Sequence, residues 1–148
     1  MATLASLLIL LIALLHIYIM WFEMFAWESR GPKIFGNLSA DMFPKTKAMA
    51  ANQGLYNGFL AAGLVWSLLI NDGAWSQNVA LFFLACVFVA GLYGAATVSK
   101  RIMYVQTVPS GLAIIAMLLT YTGSAVVWRT VRSANDDCMP WTPGRLAR

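Results

Sequence analysis

Four nearly uncharged apolar stretches, residues 4–27, 50–70, 78–99 and 102–128, alternate with short polar segments along the chain. A helix needs roughly 20 mostly apolar residues to cross a hydrocarbon core of about 30 Å, and each stretch is that long. The pattern predicts an all-α membrane protein: a four-transmembrane-helix antiparallel bundle with short loops, followed by a polar C-terminal tail at 129–148. In a chain of 148 residues these runs leave no room for a separate soluble domain. The first run lacks a basic leader and a small-residue cleavage pattern, so it reads as a retained helix rather than a secretory signal.

Polar residues interrupt the runs at a few places. In the first, His16, Met20, Glu23 and Trp27 recur at i, i+4, i+7 and i+11, which puts them on one helical stripe. A side chain that can carry charge is expensive in lipid, so this stripe should face the bundle interior. Trp21, Phe25 and Trp27 suit an interfacial aromatic belt. The second run opens with Asn52, Gln53, Tyr56 and Asn57 on one face of its first two turns. Beside them, Gly54 and Gly58 form a small-residue pair of the kind that lets helix backbones approach closely. In the third run Gly91 and Ala95 make a second such seam, read here as the partner of the first. The fourth carries Gln106, Thr107, Pro109 and Ser110 near its start. Pro109 has no N–H to donate and crowds the carbonyl of Val105, whose partner should be Gln106, Thr107, Ser110 or a water.

The segments between runs set further expectations. In 28–49, Gly31-Pro32 and Gly36-Asn37 are turn signals; a short helix starting at Leu38–Asp41 should be stopped by Pro44. Asn71-Asp72-Gly73 ends the second run with turn chemistry. Lys100-Arg101 makes a hairpin connection between antiparallel neighbours. Because successive helices alternate direction, Glu23, Asn52, Gln53, Tyr56, Asn57, Thr97, Gln106 and Ser110 fall at similar depth. His16 lies about two turns deeper, roughly 10 Å away at about 1.5 Å per residue.

Composition agrees with lipid as solvent: 60% of residues are hydrophobic, 11% are charged and the mean hydropathy is +0.70. Arg30, Lys33, Lys45, Lys47, Lys100 and Arg101 lie on one side of the bundle, against four Arg in the tail. That bias favours both termini outside and a polar pocket opening toward the cytoplasm. The net charge of +4 resides in loops and tail, where it suits anionic headgroups, and no basic stripe interleaved with aromatics points to nucleic acid. Cys86 and Cys138 do not suggest a disulfide. His16 and Glu23 are too few ligands for zinc, no metal site is expected, and the sequence leaves open whether His16 binds a cofactor.

HIYIMWFEMFAW in the first run together with NQGLYNGFLAAGLVW in the second resembles the small bacterial and fungal integral-membrane family catalogued as domain of unknown function thirteen-oh-four. The resemblance extends over roughly residues 4–128. It implies a four-helix membrane protein with His16, Glu23, Asn52, Gln53, Gly54, Tyr56, Asn57 and Gly58 in matching positions, and no established reaction.

Three function classes follow. In the first, a polar pocket binds or passes a small amphiphilic molecule, with Glu23 ionisable and Asn52, Gln53, Tyr56, Asn57, Gln106 and Ser110 lining it. In the second, Glu23 exchanges protons with Tyr56 or His16 on a lipid-soluble substrate, as an isomerase or epimerase requires. In the third, the small-residue faces at Gly54, Gly58, Gly91 and Ala95 dock a second copy or a larger membrane complex. Against all three stands a plainer reading, in which the amides are interhelical glue worth about 0.6 kcal/mol each. Glu23 in that case meets a Lys or Arg of the first loop, and His16 is a satisfied core histidine.

Overall fold

Apolar runs become long helices, but their boundaries are set by polar chemistry at the ends. The computed structural model describes residues 3–36 and 38–120. The elements are α1 (Thr3–Phe25), α2 (Trp27–Ile34), α3 (Met42–Leu69) and α4 (Gly73–Thr97). The last, α5 (Met103–Thr120), begins with a π turn over Met103–Thr107. Among the described residues there is no strand. The expected end of the fourth run (121–128), the tail (129–148) and Cys138 lie outside the described residues.

Among the described residues, three helices are long and apolar enough to cross a membrane: α1, α4 and α5. Protein covers only 28% of the most apolar stretch of α1 and of α4. Much of the remainder is large apolar side chains such as Leu7, Leu11, Leu14, Phe82 and Val89 facing outward, where a water-soluble monomer carries few contiguous apolar side chains. α3 is longest at 28 residues, yet it is not among the three. Its amide-rich first half offsets the apolar second half.

Four boundaries differ from the sequence expectation. α1 stops at Phe25, and Trp27 opens α2 rather than closing α1. Gly31-Pro32 lies inside α2 instead of forming a turn. Its glycine serves close approach, because a Cβ there would meet the Phe43 ring at 2.5 Å. Leu38–Asp41 is not helical, and Pro44 does not stop a helix: it sits in the first turn of α3, where backbone N–H groups have no intrahelical partner. Just ahead of that turn Asp41 pairs with Lys45 at 2.6 Å and accepts from the Ser39 hydroxyl. The Lys45 ammonium, then Ser39, hold its carboxyl below the usual range. α4 begins at Gly73, earlier than expected, because Asp72 caps it by accepting from the Trp75 N–H at 2.7 Å.

Pairings along the helices fix their directions. Gly58 abuts Met20, while Gly54 abuts Met20, Glu23 and Met24, so α1 and α3 are antiparallel. Gly63 lies under the Phe83 ring, and the Ser76 hydroxyl donates to the Ser67 carbonyl at 2.7 Å, so α4 reverses α3. Phe88 against Gly111, Gly91 against Thr107 and Gly94 against Ile102 reverse the chain again into α5. The expected seam-on-seam contact is therefore overturned. Gly54 and Gly58 receive α1, whereas Gly91 receives α5, because side chains as large as Met20 and Thr107 need a missing Cβ opposite them. Ala95 is half-buried on α4.

Ala5, Ile9, Ile12 and Ala13 of α1 meet Leu64, Ala80, Leu84, Val87, Ala113 and Met117 in one buried cluster. Lipid tails are as apolar as Leu, so wherever lipid surrounds such a core, small residues and tight van der Waals packing must hold it. Pro109 follows the π turn, in which the Val108 N–H donates to the Met103 carbonyl. The Ser110 hydroxyl donates to the carbonyls of Gln106 at 2.6 Å and Thr107 at 3.1 Å. Ser110 therefore serves carbonyls next to the expected one at Val105: inserting an extra residue into the turn shifts which backbone oxygens are released.

At the junction of α1, α2 and α3, Trp27 is ringed by Phe22, Phe35 and Phe43 with centroids 5.3–5.8 Å away. Its indole N–H donates to the Thr46 hydroxyl at 3.1 Å. Each such ring pair adds about 0.5–1.5 kcal/mol beyond area burial. Lys47 pairs with Glu28 at 2.5 Å across the same junction.

Two stability measurements follow. A Cβ on Gly91 would stand 2.8 Å from the Thr107 backbone nitrogen, whereas one on Gly73 meets nothing within 4 Å. Gly91→Ala should lower unfolding stability in detergent by about 1–3 kcal/mol, and Gly73→Ala should leave it within about 0.5 kcal/mol. Phe43→Ala should cost about 3 kcal/mol, because it empties the space between Trp27 and Gly31, and should red-shift the Trp27 contribution to fluorescence.

Candidate functional site

Glu23 stands on the inner stripe of α1, where burial changes along the helix. Ala5, Ile9, Ala13 and His16 are fully covered, whereas Met20 and Glu23 are half-buried. Facing Glu23 from α3 is Asn57, 5% exposed, whose Nδ2 donates to Glu23 Oε2 at 2.9 Å. The same Nδ2 donates to the Gln53 carbonyl at 3.1 Å. Both of its protons thus point at acceptors, which fixes the amide orientation and leaves Oδ1 on the other side. Glycine at position 54 makes this approach possible, since a Cβ there would lie 3.1 Å from the Glu23 Cβ and 3.0 Å from the Met20 carbonyl oxygen. The carboxylate therefore meets an amide, not a Lys or Arg of the first loop; the acids beside that loop, Glu28 and Asp41, take Lys47 and Lys45.

The surfaces flanking the pair are uncovered. Gly63 and Phe83 touch. Two turns toward the Glu23 end, Tyr56 and Ala90 continue the same stripes of α3 and α4, since residues seven apart share a helical face. Yet Tyr56 is 55% exposed and Ala90 is exposed as well. Asn52 and Gln53 are also exposed. Tyr56 makes an edge contact with Phe59 and has no hydrogen-bond partner among the described residues.

The other predicted residues lie apart from this pair. Gln106 is half-buried and packs with Thr107 against Gly91. Ser110 is fully buried, its hydroxyl spent on its own helix. Among the described residues neither is hydrogen-bonded to Glu23 or Asn57. Thr97 is exposed and bonds to the Tyr93 carbonyl at 2.8 Å. His16 is 0% exposed, and its Nδ1 lies 2.8 Å from the Ile12 carbonyl, so Nδ1 carries the proton and donates. That leaves Nε2 as a buried lone pair with no partner, a condition shared by the Thr107 hydroxyl. Among the described residues no three His, Cys, Asp or Glu gather as a metal site.

Two features carried little signal in the sequence. The backbone carbonyl of Gln53, not its side chain, fixes Asn57; the i, i+4 spacing of the two residues is the only hint. An apolar groove of about 380 Å³ runs along α1 and α3 past Ile17, Met20, Gly58, Ala62, Trp66 and Leu69. It lies on the flank of α3 next to the one carrying Asn57, and includes none of the predicted ligand-binding residues.

The chain is 32% identical over 123 residues to a protein of Lactococcus lactis subsp. lactis (strain IL1403) named "Uncharacterized protein YpaA", a match covering 82% of this chain and 99% of that one. No solved structure matches. A family model matches residues 10–118, a span that contains His16, the Glu23–Asn57 pair, the close-packing glycines and most of α5. The chain belongs to the family described as "Protein of unknown function (DUF1304)".

Proposed function

We propose that this chain is a multi-pass integral membrane protein whose four long helices, α1, α3, α4 and α5, form an antiparallel bundle that binds or passes a small amphiphilic molecule. The site is centred on Glu23 and Asn57, with Gln53, Tyr56 and Asn52 around it. The single observation that carries this reading is the 2.9 Å bond from Asn57 to Glu23 between two helices. An acid placed among apolar helices is costly to keep without a use, and one held by an amide rather than a cation remains available to a ligand. The uncovered faces at Tyr56 and Ala90 support an entrance at the same level.

α3 crosses the membrane in this reading although its first half is polar, because Asn57 faces Glu23 and the exposed amides lie close to the headgroups. The basic residues flanking that end, Lys33, Lys47, Lys100 and Arg101, support a cytoplasmic mouth with both termini outside. Gln106 and Ser110 belong to the wall of α5 that packs on α4, further from the ligand than Glu23.

The acid–base alternative has less support. His16 Nδ1 is committed to Ile12, and His16 lies about two turns, roughly 10 Å, from Glu23.

Mass spectrometry of protein extracted from its native membrane tests the reading. Wild type should retain a small molecule that Glu23→Ala and Asn57→Ala both lose, each with affinity down roughly tenfold or more. Identical retention by all three proteins would remove the pair from the site.

A further inference from the structure

Glu23 and Asn57 together present acceptors almost exclusively. Asn57 spends both Nδ2 protons, one on Glu23 Oε2 at 2.9 Å and one on the Gln53 carbonyl at 3.1 Å. Its Oδ1 has no partner among the described residues, and neither does Glu23 Oε1. Among the described residues the fully buried side-chain polar atoms without partners are His16 Nε2 and Thr107 Oγ1, and neither Asn57 Oδ1 nor Glu23 Oε1 is one of them. With Glu23 ionised, a group entering the site meets acceptors and must donate hydrogen bonds.

Charge narrows the class further. Asp41 and Glu28 each have a lysine, and Asp72 caps α4. Among the described residues no Lys, Arg or His lies within ion-pair distance of Glu23. A half-buried carboxylate stabilised by one amide lacks the opposite charge that would complete it, and low dielectric makes that deficit large.

Resting on the ligand-binding reading above, we infer that the occupant of this site is an amphiphile whose head is a primary or secondary ammonium, paired with Glu23 and donating to Asn57 Oδ1. An alcohol head satisfies the acceptors and leaves the charge unmatched. A carboxylate or phosphate head places like charge against Glu23 and offers Asn57 no donor.

The test uses the full chain in phosphatidylcholine nanodiscs with three photo-crosslinkable alkyl probes of one chain length, bearing an amine, an alcohol or a carboxylate. Labelled peptides are mapped by mass spectrometry for wild type, Glu23→Gln and Glu23→Asp. Glu23→Gln keeps an oxygen for Asn57 and removes the charge; Glu23→Asp keeps the charge on a shorter arm. Circular dichroism and size exclusion confirm that both variants are folded. The expected result is amine labelling of α1 and α3 that falls roughly tenfold or more in Glu23→Gln and partly returns in Glu23→Asp, with alcohol and carboxylate labelling unchanged. Glu23-dependent labelling by the alcohol or carboxylate, with amine labelling unaffected by Glu23→Gln, overturns the ammonium assignment and leaves the ligand-binding reading standing. If none of the three probes depends on Glu23, the site itself is overturned.

Discussion

The approach of α3 to α1 at Gly54 governs much of this molecule. A methyl group there would stand 3.0 Å from the Met20 carbonyl and 2.8 Å from Met24 Cγ. Only without it do the helices come near enough for a short Asn side chain to reach a Glu on the opposite helix. The same contact sets the register that carries Ile9, Ile12 and Ala13 against Leu64 in the core. Packing and chemistry thus depend on one missing carbon. Where the surrounding medium is as apolar as the core, close contact of this kind must supply what the hydrophobic effect would supply in water.

Each successive helix pair repeats the device in its own way. Gly63 takes the Phe83 ring, and Gly91 takes Thr107 where the π turn of α5 pushes its backbone outward. The π turn and Pro109 belong together: a proline following the widened turn leaves carbonyls that Ser110 then covers. Outside the long helices, Trp27 and its three phenylalanine neighbours tie α2 to the start of α3. The first connection is thereby a packed element rather than a free loop, and it lies beside the end of the bundle that holds Glu23.

The polar residues separate into those that serve their own helix and those that join two helices. Ser67, Thr97, Thr120 and Ser110 donate to carbonyls one turn back, and His16 does the same through Nδ1. Each such bond by itself specifies no neighbouring helix. Asn57 with Glu23 is of the other kind, as are Ser76 with Ser67 and Trp27 with Thr46. Apart from the Lys47–Glu28 ion pair between α3 and α2, whose charges already match, only the first involves an ionisable group among the described residues.

The chain's own pattern determined the helical class, the approximate course of the long helices and the common level of Glu23 and Asn57, because hydrophobic length and alternation of direction are properties of the sequence alone. It also marked Gly54, Gly58 and Gly91 as places of close approach. Which helix each glycine receives was decided by tertiary structure, since a missing Cβ states that something comes near but not what. Helix ends at Trp27, Met42 and Gly73 escaped the hydrophobic pattern because a cap, a first-turn proline and an aromatic cluster set them. Likewise, four amide or phenol side chains on one face were legible as a polar stripe. That Asn57 alone turns inward to Glu23 while Asn52, Gln53 and Tyr56 stay exposed follows from the position of α1 against Gly54 and of α4 against Gly63, a relation between helices that no single helix encodes.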